Sequence, residues 1–249
     1  MHRLTIAIDG PSGVGKSTLG KAVARRLGYQ YIDSGALYRA IGCLAIDKGV
    51  PLNDPVATSA NPAAAAPAET DAIGTSPSPA LSSEVASLAR QADIVLEGDS
   101  EHLTVLLNGT DVTERIRLPD ASHAASMVAT MPEVREAVVH KLREMSGKGG
   151  VVMDGRDIGT RVFPAAQVKL FLDASVEART RRRWEEEKQR GRDVSIEEIR
   201  SEIQERDKRD RERAATPLTK ADDAVLIDTS DMPLDRVIQR ALEIIQGRS

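Results

Sequence analysis

The sequence predicts an α/β protein built on a five-stranded parallel β-sheet with flanking helices. Short, continuous apolar runs alternate with stretches of helical periodicity, as expected for buried parallel strands and the helices that cover them. A glycine-rich loop directly follows the first apolar run, and a helical pattern follows the loop. The predicted strands occupy residues 4–8, 29–32, 151–153, 168–172 and 224–227.

Three amphipathic helices are predicted between and after these strands. The first has apolar residues at positions 19, 22, 23 and 27 and ends at Gly28. The second covers residues 36–46 and ends near Gly49. The last follows Pro233 and has apolar residues at positions 237, 238, 242 and 245.

The glycine-rich loop at residues 10–17 matches the P-loop pattern G-x-x-x-x-G-K-[ST]. In such a loop, backbone N–H groups at the mouth of a helix surround phosphate oxygens. Lys16 can reach the β- and γ-phosphates, and the Ser17 hydroxyl can bind Mg²⁺. A glycine-rich turn that only caps a helix is the alternative, but the strand–loop–helix setting favours a nucleoside triphosphate site. Its predicted residues are Gly10, Pro11, Ser12, Gly13, Val14, Gly15, Lys16, Ser17 and Thr18.

Composition limits the classes of protein to which the chain can belong. Its 249 residues are enough for one sizeable α/β domain, and its net charge of −4 argues against binding to nucleic acid or an anionic membrane. The single Cys43 excludes an intrachain disulfide and a zinc site built from cysteines. No signal peptide precedes the first strand, and no apolar stretch approaches the length of a membrane span. We therefore expect a soluble, cytoplasmic protein. We also expect a monomer, although composition does not determine the oligomeric state.

Residues 54–118 interrupt the alternation and are predicted to form a small, β-rich insertion. The segment 53–83 is rich in Ala, Pro, Ser and Thr, so it cannot bury enough surface to offset its ordering entropy. We therefore expect a mobile loop over about residues 54–81. Apolar runs at 94–97 and 103–107 predict a hairpin around Gly98-Asp99, and Asn108-Gly109 predicts a second tight turn.

The stretch from 176 to 213 is densely charged, with thirteen Lys or Arg and twelve Asp or Glu. Such a balance predicts long helices with solvated, paired faces. Gly191-Arg192-Asp193 separates two helices, and a capping box at residues 195–198 begins the second. The charged residues on one face of this second helix have two open interpretations. They are either solvated surface charges or groups that close over phosphates. That face carries Arg206, Arg209, Asp210 and Arg213.

Charged residues also follow the predicted strand at 151–153. Asp154, Arg156 and Asp157 would lie at the carboxyl edge of the sheet, where open α/β sheets bind ligands and where the P-loop lies. A solvated turn is the alternative. The second strand ends at the same edge, and Ser34 there is a candidate N-cap of the next helix, a role that does not exclude ligand contact.

Five segments taken together resemble bacterial cytidylate kinases, and they occur in order over nearly the whole chain. They are 10–18, 33–39, 124–126 with Val134-Arg135, 154–160 and 206–213. The resemblance implies a P-loop NTPase fold of the nucleoside monophosphate kinase type and transfer of the ATP γ-phosphate to CMP or dCMP. It further implies a core at 1–53, 119–181 and 214–249, an inserted monophosphate-binding subdomain at 54–118, and lid helices at 182–213. The alanine- and proline-rich segment is longer than the family pattern and carries none of its motifs.

The resemblance also implies residue roles. Mg²⁺ would be held by Ser17 and Asp154, and a carboxylate at Asp157 would accept from the cytosine amino group and repel O4 of uracil. The implied catalytic residues are Lys16, Arg156, Arg209 and Arg213. The implied substrate residues are Ser34, Tyr38, Arg39, Ser126, Arg135, Arg156, Asp157, Arg206, Asp210 and Arg213, with Arg39, Arg156 and Arg213 on the acceptor phosphate and Arg206 and Asp210 on the ribose. We expect the lid to be mobile because its like-charged face has no partner until phosphates arrive.

Three alternatives remain. Another small-molecule P-loop kinase, of the UMP/CMP, shikimate or gluconate type, is the first, although Ser126, Arg135 and Asp157 together favour cytosine. A GTPase-type switch protein is the second. Its guanine motif could be Thr219-Lys220-Ala221-Asp222, but that motif should follow an apolar strand, and here it precedes one. An RNA-binding adaptor is disfavoured by the acidic charge and the scarcity of aromatic residues.

Overall fold

The computed structural model describes residues 3–52, 78–98, 102–147, 149–213 and 216–248. These residues form the α-helices and β-strands of the fold. In chain order they are β1 (Thr5–Asp9), α1 (Lys16–Leu27), β2 (Gln30–Asp33), α2 (Ser34–Asp47), α3 (Pro79–Gln91), β3 (Ile94–Gly98), β4 (Leu103–Leu107), β5 (Thr110–Asp111), α4 (Pro119–Val128), α5 (Pro132–Met145), β6 (Val151–Gly155), β7 (Val168–Asp173), α6 (Val176–Gln189), α7 (Ile196–Glu212), β8 (Val225–Asp228) and α8 (Leu234–Gln246).

The main sheet has five parallel strands in the order β2-β6-β1-β7-β8. The prediction of a five-stranded parallel sheet is confirmed, and each of the five apolar runs forms one strand. Successive side chains of a strand point to opposite faces of the sheet, and helices pack against both faces. Met153 packs with Leu37 and Ile41 of α2, whereas its neighbour Val152 packs with Leu19 of α1. The two apolar clusters hold the strand ends in fixed positions.

A second, antiparallel sheet of three strands follows the order β3-β4-β5. The predicted hairpin and the tight turn are confirmed. Asn108 and Gly109 have φ angles of 50° and 79°, the left-handed pair that a type I′ turn requires. The sheet is separate from the main one, as predicted.

The predicted loop at about 54–81 is wrong at its carboxyl end, because α3 begins at Pro79. The Ser78 hydroxyl accepts a hydrogen bond from Leu81 N at 3.2 Å and caps this helix. Val85, Ala86 and Ala89 are buried on its inner face. Residues 54–77 of that predicted loop lie outside the described residues.

The charged stretch forms α6 and α7, as predicted. Ser195 and Glu198 make the capping box, with Glu198 N donating to Ser195 Oγ at 3.1 Å and Ser195 N donating to Glu198 Oε2 at 3.0 Å. None of the helices in the described ranges is long and apolar enough to cross a membrane.

Candidate active site

The P-loop joins β1 to α1 at the carboxyl edge of the main sheet. Gly10 and Gly15 have φ angles of 149° and 90°, which side-chain-bearing residues rarely adopt. A Cβ at Gly10 would lie 2.1 Å from the carbonyl oxygen of Leu172, so the loop packs directly against β7. The loop therefore requires glycine for its backbone conformation and also for its packing.

Lys16 is the first residue of α1 and is buried. Its Nζ donates to the carbonyl oxygen of Pro11 at 2.6 Å, within the P-loop itself. Burial holds the pKa of Lys16 well below its usual range, and the nearby Arg156 lowers it further. A buried ammonium beside another cation gains most from an anion, which is what a polyphosphate would supply.

Ser17 and Asp154 meet beside this lysine. Ser17 Oγ donates to Asp154 Oδ2 at 2.9 Å, and the Tyr31 hydroxyl donates to Asp154 Oδ1 at 2.7 Å. Burial raises the pKa of Asp154 to about 6, and repulsion from Asp33 adds to the shift. The pair offers a hydroxyl and a carboxylate, the hard oxygen ligands that Mg²⁺ takes when nucleotide phosphates and waters complete its shell. Among the described residues, no group of three or more His, Cys, Asp or Glu could hold a metal.

At the end of β2, Asp33 rather than Ser34 caps the next helix. Asp33 Oδ1 accepts from Ala36 N at 3.2 Å, while Oδ2 pairs with Arg39 at 2.7 Å. The N-cap role predicted for Ser34 is therefore wrong, because α2 begins one residue earlier than a Ser34 cap requires. Ser34 Oγ donates instead to the carbonyl oxygen of Asp154 at 2.7 Å and links β2 to β6.

Arg135 and Asp157 form a buried ion pair beyond the end of β6. Arg135 also donates to the Ala129 carbonyl at 3.1 Å, and its guanidinium carbon lies 5.5 Å from the centre of the Tyr38 ring. Ser126 is close by and accepts a hydrogen bond from Arg209 Nε at 3.1 Å. The residues assigned to the base by resemblance thus come from α4, α5 and the end of β6.

The carboxyl-terminal part of α7 reaches the same edge. Arg156 Nε pairs with Asp210 Oδ2 at 2.8 Å, and Arg213 lies 3.8 Å from the other oxygen of Asp210. Arg213 also donates to the Thr216 carbonyl at 2.7 Å. The expectation that this lid face has no partner before phosphates bind is wrong, because Asp210 pairs with Arg156 and Arg213 donates to the Thr216 carbonyl.

Three arginines of the site still have donors without an acceptor. Arg135 Nε, Arg206 Nε and Arg213 Nη2 are buried and make no hydrogen bond to any described residue. Burial, with Arg156 as the next cause, lowers the pKa of Arg206 to about 10. Unsatisfied buried donors on cations are costly unless a ligand supplies acceptors. The site has the chemistry of a phosphate-binding site.

Sequence reasoning missed Asp9 and Arg179. Asp9 ends β1, and its carboxylate accepts from Ile158 N at 2.8 Å and Gly159 N at 2.7 Å, so it fixes the turn that follows Asp157. Burial raises the pKa of Asp9 to about 6 despite these two hydrogen bonds. Its position just before the P-loop was the one available signal, whereas nothing in the charged run distinguished Arg179 from its neighbours.

A P-loop at the carboxyl edge of a parallel sheet, faced by buried arginines, defines a P-loop phosphotransferase. The family model described as cytidylate kinase matches residues 6–247, and the chain belongs to this family. It is 41% identical over 245 residues to a cytidylate kinase of Desulfitobacterium hafniense, covering 98% of this chain and 94% of the relative. It is 44% and 42% identical to cytidylate kinases of Bacillus licheniformis and Bacillus subtilis, each match covering 99% of this chain and 98% of the relative.

Proposed function

We propose that this enzyme transfers the γ-phosphoryl group of ATP to CMP or dCMP, giving ADP and CDP or dCDP. The observation that carries the proposal is that three buried arginines of the site, Arg135, Arg206 and Arg213, each have one nitrogen with no acceptor among the described residues. A donor polyphosphate and an acceptor phosphate are the anions that planar guanidinium groups bind best. Relatives named cytidylate kinase support cytosine as the acceptor base.

The donor is held by the P-loop. Lys16 exchanges its contact with the Pro11 carbonyl for the β- and γ-phosphates, and backbone N–H groups of residues 10–18 surround the remaining oxygens. Mg²⁺, held through Ser17 and Asp154, would screen the charge between donor and acceptor phosphates.

The acceptor phosphate is held by Arg39, Arg156 and Arg213. Phosphoryl transfer asks the protein for in-line positioning and for stabilisation of charge on the transferring group. Because the acceptor phosphate is already ionised, no general base is needed. Lys16 and Arg209 complete the catalytic set, with Arg209 reaching the site through its contact with Ser126.

The nucleoside is held by polar groups. Asp157 accepts from the 4-amino group of cytosine, and Arg135 and Ser126 bind the other polar atoms of the base. Arg206 and Asp210 bind the ribose, and Ser34 and Tyr38 complete the substrate site. Only 2% of the chain is aromatic, so base recognition depends on hydrogen bonds more than on stacking.

We propose a cytoplasmic location for the enzyme. We also propose that the enzyme acts as a monomer without nucleic acid or membrane partners, and light scattering of the purified protein would check its size.

A coupled assay of ADP release tests the proposed function. ATP would be offered with CMP, dCMP, UMP, AMP or shikimate, and turnover should be fastest with CMP or dCMP. Chelation of Mg²⁺ should stop the reaction. Equal rates with UMP would indicate a UMP/CMP kinase, and turnover of shikimate would indicate a different acceptor class. Equal binding of ATP and GTP without turnover would instead indicate a switch protein.

A further inference from the structure

Arg179 lies on α6, outside every role assigned above, yet it is only 2% exposed. Its guanidinium contacts three separate parts of the molecule. Nε donates to the Ala174 carbonyl at 3.0 Å, and Nη1 donates to the Ser12 carbonyl at 3.2 Å. Nη2 pairs with Asp207 Oδ2 at 2.7 Å. One side chain thus joins the end of β7, the P-loop and α7.

The contact with Ser12 constrains the P-loop directly. Because a peptide group is planar and trans, its C=O and N–H point in opposite directions. Holding the Ser12 carbonyl toward Arg179 therefore directs the Gly13 N–H away from it. A Cβ added at Gly13 would lie 3.3 Å from Arg179 Cβ, so the two backbones pack closely here. Arg179 thereby fixes the orientation of one amide of the phosphate-binding loop.

The contact with Asp207 constrains α7. Asp207 is 3% exposed and lies next to Arg206 and one turn before Asp210. An ion pair at this position fixes how α7 is rotated about its axis. That rotation decides which α7 side chains face the P-loop.

A buried ion pair is weak support for stability, because desolvation offsets most of its attraction. Orientation is the better-attested use of such pairs. The geometry points to this use, since the same guanidinium contacts both partners that must be aligned.

We propose that Arg179 is a positioning residue that couples occupation of the P-loop to the placement of α7, so that donor binding strengthens acceptor binding. The inference rests on the proposed function, because it assumes a donor nucleotide at the P-loop and CMP beneath α7. Arg179 itself touches neither reacting group.

The test is a binding cycle on the full chain. The Kd of CMP is measured by calorimetry with and without a non-hydrolysable ATP analogue, and the ratio of the two values is the coupling factor. We expect a factor of about fivefold or more in the wild type. It should fall to less than about twofold in Arg179→Lys and in Asp207→Asn, with smaller changes in the Kd of either nucleotide alone.

Glu177 and Arg200 provide a matched control, because they also join α6 to α7, at 3.4 Å, but are exposed. Glu177→Gln should keep the wild-type coupling factor. The double variant Arg179→Met/Asp207→Leu removes both charges, leaves no unpaired buried ion, and should show the same loss of coupling.

The outcomes separate the two proposals. If the wild type binds neither nucleotide, the proposed function fails. If the wild type binds both but shows no coupling, or if folded Arg179 and Asp207 variants keep it, the positioning role is refuted while the proposed function stands.

Discussion

Arg135 and Asp157 form an ion pair in which both side chains are almost fully buried, although both are assigned to the acceptor base. The pair presents a donor beside an acceptor. Cytosine offers the complementary pattern, an acceptor at N3 and a donor at its 4-amino group, whereas uracil offers the reverse. The two groups that pair with each other in the protein are thus the ones proposed to contact the base.

Asp157→Asn should reduce the preference for CMP over UMP. The ratio of the kcat/KM values for CMP and UMP should fall. Expressed as a free energy, the loss of discrimination should be roughly 1–3 kcal/mol, the value of a well-made contact to a base edge. Steady-state kinetics with both acceptors measures it. Asp120→Asn is the control, because Asp120 pairs with Arg115 in an exposed salt bridge at 2.7 Å. Equal losses with CMP and UMP would make Asp157 a structural residue.

Lys16→Ala should nearly abolish turnover and leave the protein folded. The substitution removes the one side-chain charge of the P-loop and with it the stabilisation of the γ-phosphate. We expect kcat below about a tenth of the wild-type value, a loss of more than 1.4 kcal/mol. Lys21→Ala, also on α1, should keep normal activity. A Lys16→Ala enzyme with most of its activity would contradict the assigned role.

Asp9 should make the protein less stable as the pH rises from about 4 to 6. Its pKa is raised from 3.8 to about 6 in the folded state, so the folded protein holds this proton more tightly than the unfolded chain does. The contribution of Asp9 to the free energy of unfolding should therefore fall by up to about 3 kcal/mol across this window and stay level above it. Urea titrations of the wild type and Asp9→Asn at several pH values would isolate this contribution. Parallel stability curves for the two proteins would refute it.

Gly10→Ala should destabilise the protein more than Gly15→Ala. Both substitutions force a residue with a Cβ into a sparsely populated positive φ angle, at a cost of about 1–3 kcal/mol. At Gly10 the new Cβ also meets the Leu172 carbonyl, which should add about 1–3 kcal/mol, whereas nothing lies within 4 Å of a Cβ at Gly15. Denaturation midpoints would rank the two variants. Equal midpoints would mean that the loop moves freely off β7.

Hydrogen exchange across residues 182–213 should slow when CMP and a non-hydrolysable ATP analogue bind together. Acceptors on the nucleotides would satisfy the buried donors of Arg206 and Arg213 and add to the local stability of α7. A tenfold slowing corresponds to about 1.4 kcal/mol. Exchange in α8 should stay unchanged and serves as the internal control. Unchanged exchange in 182–213 would show that this segment is preformed and does not act as a lid.

The sequence predicted the features whose signals are local. The five strands are continuous apolar runs, and the P-loop and the capping box at Ser195 are short motifs with fixed spacing. Helix α3 was missed because its cap at Ser78 and its buried Val85 lie in a segment dominated by Ala, Pro and Ser. Its composition obscured its periodicity.

Contacts between distant segments could not be predicted from local sequence signals. Asp9 binds the backbone at Ile158, and Arg179 pairs with Asp207, and in both cases the partner is set by how the chain folds. The same limit explains why the charged face of α7 was expected to have no partner. Helical spacing shows which residues share a face, and only the fold shows that Asp210 is paired with Arg156.

The strand order of the main sheet also determines how much of the chain must be synthesised before the enzyme can bind nucleotides. β6 lies between β2 and β1, so Thr5 pairs with Val151, and β1 and β2 have no contact with each other in the sheet. A chain leaving the ribosome therefore carries its phosphate-binding loop long before the strand that supports it is made. Pairing across so many residues slows folding. Nucleotide binding by this enzyme therefore requires that synthesis has passed β6 and also β7, against which the P-loop packs.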